Sequence, residues 1–174
     1  MSIPSLETER LILRPHRADD LADCAAMWAD PIVVRYISGR PATVEETWGG
    51  MLKYAGHWAL MGWGYWAIVE KASGAFAGDL GFEDLKREID PPLTGTPELG
   101  WALAPRFHGK GYATEAARAA IAWADSFFGN RETACIIHPD NRPSIRVAEK
   151  LAYHEVARTT YKGQPTIVFK RNVQ

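Results

Sequence analysis

A short run of residues near the middle of the chain has the composition of an anion-binding turn. Arg106-Phe-His-Gly-Lys-Gly111 stands directly before a segment with helical periodicity. The first amides of a helix have no partners within it, and the helix dipole places partial positive charge at that end. Gly109 and Gly111 lack a Cβ and let backbone amides approach phosphate oxygens, while Arg106 and Lys110 add positive charge. The pattern predicts a phosphate-binding turn, with a tight turn that binds nothing as the alternative.

Two common glycine-rich motifs fit this turn poorly. A P-loop would need glycine where Ala104 stands and serine or threonine where Gly111 stands. A Rossmann dinucleotide turn would need a third glycine where Thr114 stands, and it would follow a parallel strand. Nucleoside triphosphate and dinucleotide binding are therefore disfavoured.

The turn is predicted to join a strand at residues 98–103 to a helix at residues 111–128, whose inner stripe is mostly alanine. Further strands are predicted at residues 11–15, 65–70, 75–82, 134–138, 153–160 and 166–171, and further helices at residues 18–28, 43–60 and 141–151. Two of the strand pairs are hairpins, which makes the sheet at least partly antiparallel. The breaker-rich segment 86–97 is a candidate substrate-side flap.

Composition limits the alternatives. The chain has 174 residues, of which 47% are hydrophobic and 24% charged, and this indicates a single globular domain, placed at residues 6–172. A net charge of −1 gives no overall attraction to nucleic acid or anionic membrane. The N-terminus does not resemble a signal peptide and no apolar stretch is long enough to span a bilayer, so we expect a cytoplasmic protein. The cysteines and histidines have no metal-ligand spacing, and no metal is expected.

In the turn before the helix at residues 111–128, the sequence resembles the GNAT superfamily of N-acetyltransferases, whose cofactor signature Gln/Arg-x-x-Gly-x-Gly/Ala opens a helix. Arg106 to Gly111 match that signature. Residues 6–15, 98–103 and 141–151 resemble the branch that contains the ribosomal-protein N-terminal (alanine or serine) acetyltransferases, and the similarity covers about residues 6–170. It implies an α/β (α+β) GNAT fold, in which a mixed, mostly antiparallel central sheet has flanking helices and one splayed strand pair.

The resemblance also implies acetyl-CoA as co-substrate and assigns residues to it. The backbone of three residues should bond the pantetheine arm in the gap between the splayed strands, namely Trp101, Ala102 and Leu103. Backbone amides should hold the pyrophosphate, namely those of His108, Gly109, Lys110, Gly111, Tyr112 and Ala113. Asn141 and Ser144 match positions near the pantetheine and the thioester sulfur, although a helix cap is the alternative role of Asn141.

Direct acetyl transfer needs a base for the amine and a proton donor for the departing thiolate. Glu98 is our hypothesis for the base, and its alternative role is a strand-end carboxylate paired with Arg14 or Lys86. Glu83 is the competing base or an anchor for the amine. Many relatives carry a tyrosine as general acid where Ala148 stands, so Ser144 is the candidate for that role.

The acceptor is predicted to be the N-terminal α-amine of a protein or peptide, because an α-amine with a pKa of about 7.7 to 8.0 is more often neutral at pH 7 than a lysine. A small amine, such as an amino acid, polyamine or antibiotic, and a non-catalytic acyl-CoA-binding domain are the alternatives. The resemblance also allows for a homodimer. An acidic cluster fits either a cationic substrate or a solvated hairpin end, and it comprises Asp79, Glu83, Asp84, Glu88 and Asp90.

The aromatic stretch from Trp58 to Trp66 favours core packing, since alternation would bury half of its side chains in any case. A role in lining the substrate site is the alternative, with Trp66 as the candidate residue.

Overall fold

A computed structural model describes residues 3–129 and 131–172. Its strands are β1 (Leu6–Glu7), β2 (Leu11–Arg14), β3 (Tyr65–Glu70), β4 (Phe76–Glu83), β5 (Glu98–Leu103), β6 (Thr133–Ile137), β7 (His154–Tyr161) and β8 (Gln164–Arg171). Its α-helices are α1 (Leu21–Trp28), α2 (Pro31–Val34), α3 (Val44–Met61), α4 (Tyr112–Phe128) and α5 (Arg142–Lys150). None of these described helices is long and apolar enough to cross a membrane.

The strands form one sheet in the order β1-β2-β3-β4-β5-β6-β8-β7. Every neighbouring pair is antiparallel except β5 and β6, which are parallel. The two predicted hairpins are confirmed as β3–β4 and β7–β8. The predicted mixed, mostly antiparallel sheet with flanking helices is confirmed.

The two faces of the sheet carry different helices. The larger core lies under α4 and α5 and contains Leu80, Leu99, Ala116, Ala120 and Leu151, all of them buried. Small alanines on the inner side of α4 let the helix axis approach the sheet closely. A second core, under α1 and α3, packs Cys24, Met27 and Met51 against Ala67 and Ala102.

Helix α3 begins where its sequence predicts. The Thr43 hydroxyl accepts a hydrogen bond from the Glu46 amide at 3.1 Å, and the Glu46 carboxylate accepts one from the Thr43 amide at 2.8 Å. The helix ends at Gly62, which has a left-handed φ of 76°. The signals that begin and end this helix each involve only a few neighbouring residues, so the sequence alone predicts them.

The connection between β4 and β5 is packed against the sheet. Ile89 and Leu93 are buried on Ala134 and Val168 of the β6–β8 half of the sheet. The Gly95 amide donates to the Asp84 carboxylate at 3.1 Å. The segment predicted as a substrate-side flap is therefore packed on the β6–β8 half of the sheet, through apolar contacts that only the tertiary fold creates.

The three tryptophans of the aromatic stretch, Trp58, Trp63 and Trp66, belong to the core. Trp66 has 0% exposure and lies edge-on to Trp58 and Trp123, with ring centroids 5.0 and 5.2 Å apart. Its indole nitrogen donates to the Pro4 carbonyl at 2.8 Å. A side chain enclosed on all sides cannot touch a substrate, so the prediction of Trp66 as a substrate-lining residue is wrong and core packing is its role.

Candidate active site

The sheet forks between β5 and β6. The two strands pair at one position only, Glu98 with Ala134, where the Ala134 amide donates to the Pro97 carbonyl at 3.0 Å. Beyond that position β5 continues on β4 alone and β6 continues on β8 alone. The splayed strand pair implied by the resemblance is confirmed, and it leaves one edge of β5 without a neighbouring strand.

The register of β4 and β5 decides which backbone groups face the fork. The Ala104 amide donates to the Ala77 carbonyl, so alternate residues of β5 bond to β4, and Ala102 opposite Asp79 is one of them. The backbone groups of Trp101 and Leu103 consequently point into the fork. The prediction for the pantetheine arm therefore stays with Trp101 and Leu103, and it is wrong for Ala102, whose backbone is engaged with β4.

The predicted anion-binding turn begins with a single 3-10 turn at Pro105–Phe107 and ends at Gly111, the N-terminal cap of α4. Gly109 and Gly111 have left-handed φ values of 74° and 78°. Within the described chain the backbone amides of residues 109–114 donate no hydrogen bond, and no side chain caps α4. A run of free amides at a helix start fits a pyrophosphate without rearrangement.

His108 is the exception among the predicted amide donors. Its amide already donates to the Pro105 carbonyl at 3.0 Å, which corrects its assignment as a pyrophosphate donor. Its ring nitrogen Nε2 lies 2.7 Å from the Leu103 carbonyl oxygen. His108 thus braces the turn against the end of β5.

The side chains around the turn are held in place by Glu70. The Tyr112 hydroxyl donates to the Glu70 carboxylate at 2.6 Å, and the Lys110 ammonium lies 3.4 Å from the same oxygen. Hydrogen bonds from Ser73 and Tyr112 lower the pKa of Glu70 to about 2. Tyr112 therefore offers a ligand only its backbone amide, and Arg106, exposed over the Phe107 ring at 4.7 Å, is the more available cation.

A cleft of about 810 Å³ adjoins the start of α4. Its lining includes Gly111, Thr114 and three cations that lie outside the predicted anion-binding turn, Arg10, Arg118 and Lys150. Arg10 is anchored by Glu115, whose carboxylate accepts from its side chain at 2.7 Å and from its amide at 2.9 Å. The three cations come from distant parts of the chain, so no sequence motif brings them together.

The opposite side of the fork carries carboxylates on the α3 face of the sheet. Glu98, 8% exposed, accepts two hydrogen bonds from Arg87, at 2.7 Å to Oε2 and 2.8 Å to Oε1. Arg87 also donates to the Tyr161 hydroxyl at 3.3 Å. Both oxygens of Glu98 are thus engaged, and its partner is Arg87 rather than Arg14 or Lys86, which pair with Asp20 and Asp84.

Glu83 lies directly across from Glu98 in the sheet and has a different environment. The Lys53 ammonium lies 3.3 Å from both of its oxygens, but only Oε2 has hydrogen-bonding geometry. Oε1 is buried and has no hydrogen-bond partner in the part of the chain that the structure describes. Burial raises the pKa of this carboxyl, because a charged carboxylate loses hydration there.

A third carboxylate on this face, Asp79, is fully engaged. Its oxygens lie 2.6 Å from His16 Nε2 and 2.8 Å from the Trp28 indole nitrogen, and the Cys24 sulfur lies 4.0 Å away. Sequence spacing gave no sign that His16, Cys24 and Asp79 would meet. Burial raises the pKa of the Cys24 thiol, which keeps it protonated.

The segment after β6 closes the fork on its other side. Asn141 caps α5 through a 3.3 Å hydrogen bond from the Ser144 amide, as the cap alternative predicts. Ala148 lies one turn beyond Ser144 and is completely buried. Tyr36 from the α2–α3 connection stacks on His138 with ring centroids 5.1 Å apart, and this contact joins the two halves of the molecule across the fork.

Comparison with known proteins places this chain in one family. The family described as Acetyltransferase (GNAT) domain matches residues 10–154. The chain is 27% identical over 152 residues to the uncharacterised N-acetyltransferase p20 of Bacillus licheniformis. The matched residues make up 87% of this chain and 83% of that protein.

Solved structures of acetyltransferases share this fold. An acetyltransferase from Agrobacterium tumefaciens superposes with a TM-score of 0.85 at 29% identity, covering 99% of this chain and 96% of that chain. The ribosomal alpha-N-protein acetyltransferase RimL, in complex with coenzyme A, superposes with a TM-score of 0.79 at 14% identity over 98% of each chain, a likeness of fold alone. The chain therefore belongs to the GNAT acetyltransferase family, whose members use acetyl-CoA to acetylate amines.

Proposed function

We propose that the protein acetylates the N-terminal α-amine of a protein or peptide, by direct attack of the amine on acetyl-CoA in a ternary complex. The observation that carries this proposal is Glu83, a buried carboxylate with one unpartnered oxygen beside the fork of the sheet. An unpaired buried acceptor is costly unless a ligand satisfies it. An ammonium or amine supplies the donor that Glu83 Oε1 lacks.

The residues at the fork fit the cofactor. The backbone of Trp101 and Leu103 would hold the pantetheine arm, and the amides of residues 109–113 would hold the pyrophosphate. Asn141 and Ser144 complete the far side of the fork. When bound, acetyl-CoA supplies an acetyl group activated as a thioester.

Glu83 is the better placed of the two candidate bases. Glu98 gives both oxygens to Arg87 in hydrogen bonds, whereas Glu83 accepts from Lys53 through Oε2 alone and its Oε1 makes no hydrogen bond to a described residue. Its raised pKa makes Glu83 a stronger proton acceptor than an exposed glutamate. Glu83 accepts the proton from the amine, and Glu98 with Arg87 forms the wall of the acceptor site.

The pairing of charges favours an acceptor with one amine over a polyamine. The carboxylates of the predicted acidic cluster that lie on this face each have a nearby cationic or polar partner, namely Lys53 for Glu83, Lys86 for Asp84 and His16 with Trp28 for Asp79. Three cations, Lys53, Lys86 and Arg87, face four carboxylates on this side of the fork once Glu98 is included, so at most one excess negative charge remains, enough for one ammonium but not for two or three. An α-amine with a pKa of about 7.7 to 8.0 is also the amine that a carboxylate base deprotonates most readily near pH 7. The fold shared with RimL, which acetylates an α-amine of a ribosomal protein, supports the same choice.

A small amine is the second candidate. The stacking of Tyr36 on His138 across the fork narrows the approach to the α3 face, which favours a compact acceptor. A peptide would enter with its terminal amine first, beneath that stack.

Release of CoA thiol from acetyl-CoA, measured with a panel of peptides and small amines, tests the proposal. We expect release with peptides that have a free N-terminus and none with the same peptides acetylated beforehand, which are the matched control. Glu83→Gln should lower kcat at least tenfold, while Glu98→Gln should act more weakly. Turnover confined to small amines would refute the N-terminal assignment. Acetyl-CoA binding without release across the panel would indicate the non-catalytic alternative.

A further inference from the structure

Tyr65, the first residue of β3, projects across the sheet toward the fork. Its direct neighbour on β4 is Gly81, and the neighbour of Gly81 on β5 is Gly100. The Tyr65 ring stacks in parallel on Tyr54 of α3, with centroids 4.6 Å apart and an interplanar angle of 6°. The ring therefore lies on the α3 face, over positions that carry no side chain.

The absence of a side chain at Gly100 makes room for the Tyr65 hydroxyl. A Cβ at Gly100 would overlap the hydroxyl oxygen and would lie 3.2 Å from Cζ. The oxygen thus sits above β5 just past the point where the strands part, one residue before Trp101. Tyr65 is partly exposed, and its hydroxyl makes no hydrogen bond to any described residue. A hydroxyl held rigidly at a substrate gap without a partner is available to a ligand.

We infer that Tyr65 donates a hydrogen bond to the sulfur of the departing CoA thiolate, the task for which many relatives have a tyrosine where Ala148 stands here. The inference rests on the proposed function. As the nitrogen–carbon bond forms, Glu83 accepts the amine proton and later passes it to solvent. The electron pair of the breaking carbon–sulfur bond goes to sulfur, and Tyr65 stabilises that negative charge while keeping its own proton.

The surroundings keep Tyr65 protonated. Burial and the negative charges of Glu83 and Glu98 raise the pKa of its hydroxyl well above the usual range, and Arg87 opposes them more weakly. Asp79 acts in the same direction as the two glutamates, and Tyr54 covers the ring from α3. Tyr65 therefore remains a hydrogen-bond donor well above pH 9, in the range where an aliphatic thiol ionises.

Equilibrium binding of CoA and acetyl-CoA to the intact protein, measured by calorimetry at pH 6.5 and pH 9, tests the inference without turnover. Tyr65→Phe should weaken CoA binding about tenfold at pH 9 and much less at pH 6.5, because a hydrogen bond to a charged acceptor is the stronger kind. Its affinity for acetyl-CoA, which has no ionisable thiol, should be unchanged at both pH values. In steady-state assays kcat should fall while KM for acetyl-CoA stays the same.

Tyr54→Phe is the matched control, because it removes the other hydroxyl of the same ring stack and should leave the CoA affinity ratio at its wild-type value. Ser144→Ala tests the competing donor. If Tyr65→Phe keeps the wild-type pH dependence, or if only Ser144→Ala loses it, the inference is overturned while the proposed function stands. If the wild-type protein binds neither CoA nor acetyl-CoA, the proposed function is overturned and the inference with it.

Discussion

Replacing Gly100 by alanine should destabilise the protein through Tyr65 alone. Gly100 does not have a left-handed φ, so its backbone accepts an alanine without strain. The added Cβ would lie well inside 3.0 Å of the Tyr65 hydroxyl oxygen, closer than real Cβ atoms come to any neighbour. The ring cannot retreat easily, because Tyr54 is stacked on it.

The expected loss of stability depends on which Tyr65 atoms lie near the added Cβ. Overpacking of this kind costs about 1–3 kcal/mol. In a Tyr65→Phe background the clashing oxygen is absent, and the nearest atom is Cζ at 3.2 Å, which needs to move by only a few tenths of an ångström. The restriction of the unfolded chain by alanine, about 0.4–1 kcal/mol, is the same in both backgrounds and cancels. We expect a coupling free energy of about 1–2 kcal/mol between the two sites.

Urea unfolding of the wild-type protein, both single variants and the double variant measures this coupling free energy. The slopes of the four transitions should agree, so that differences in midpoint report stability. If Gly100→Ala costs the same in both backgrounds, within about 0.5 kcal/mol, then the Tyr65 hydroxyl does not lie over Gly100. The inference about Tyr65 would then lose its structural basis.

Three further predictions concern other parts of the molecule. Glu83→Gln should raise the free energy of unfolding at pH 7, because burial raises the pKa of this carboxyl and the wild type loses stability as pH rises through it. The difference in the free energy of unfolding between variant and wild type should shrink toward pH 4, as measured by urea unfolding at a series of pH values. A difference that does not change with pH would contradict this reasoning. Gly111→Ala should weaken acetyl-CoA binding several-fold by calorimetry, because alanine disfavours the left-handed φ of 78° with which Gly111 leads into the free amides of the turn. Gly163→Ala is the control, because Gly163 has a similar φ of 75° in the β7–β8 turn, and this variant should leave acetyl-CoA binding unchanged. Tyr153→Phe should cost about 1–2 kcal/mol in urea unfolding, because the buried Thr133 hydroxyl loses its partner at 2.7 Å, and a cost below 0.5 kcal/mol would refute that reasoning.

The features that could be predicted from the sequence are those whose signals lie within a few residues of one another. The Thr43–Glu46 capping box starts α3 as expected, and the glycines of the β3–β4 and β7–β8 turns mark their hairpins. The turn from Arg106 to Gly111 has the left-handed glycines and free amides that its composition indicates. The surroundings of Glu83 and Glu98 were harder to predict. The partner of Glu98 is Arg87, and the two side chains meet only because of the path that the β4–β5 connection takes.

By itself, the sequence determined the turn before α4 with its run of free amides, because a helix start carries its donors in consecutive residues and needs no distant partner. Only the tertiary structure decided the environment of the carboxylates and of Tyr65 on the α3 face. Strand register paired Ala102 with β4, left Glu83 Oε1 without a hydrogen bond from any described residue and placed Tyr65 over Gly100. Each of these follows from which strands become neighbours and which face each side chain takes, and a shift of one residue in register would reverse all of them.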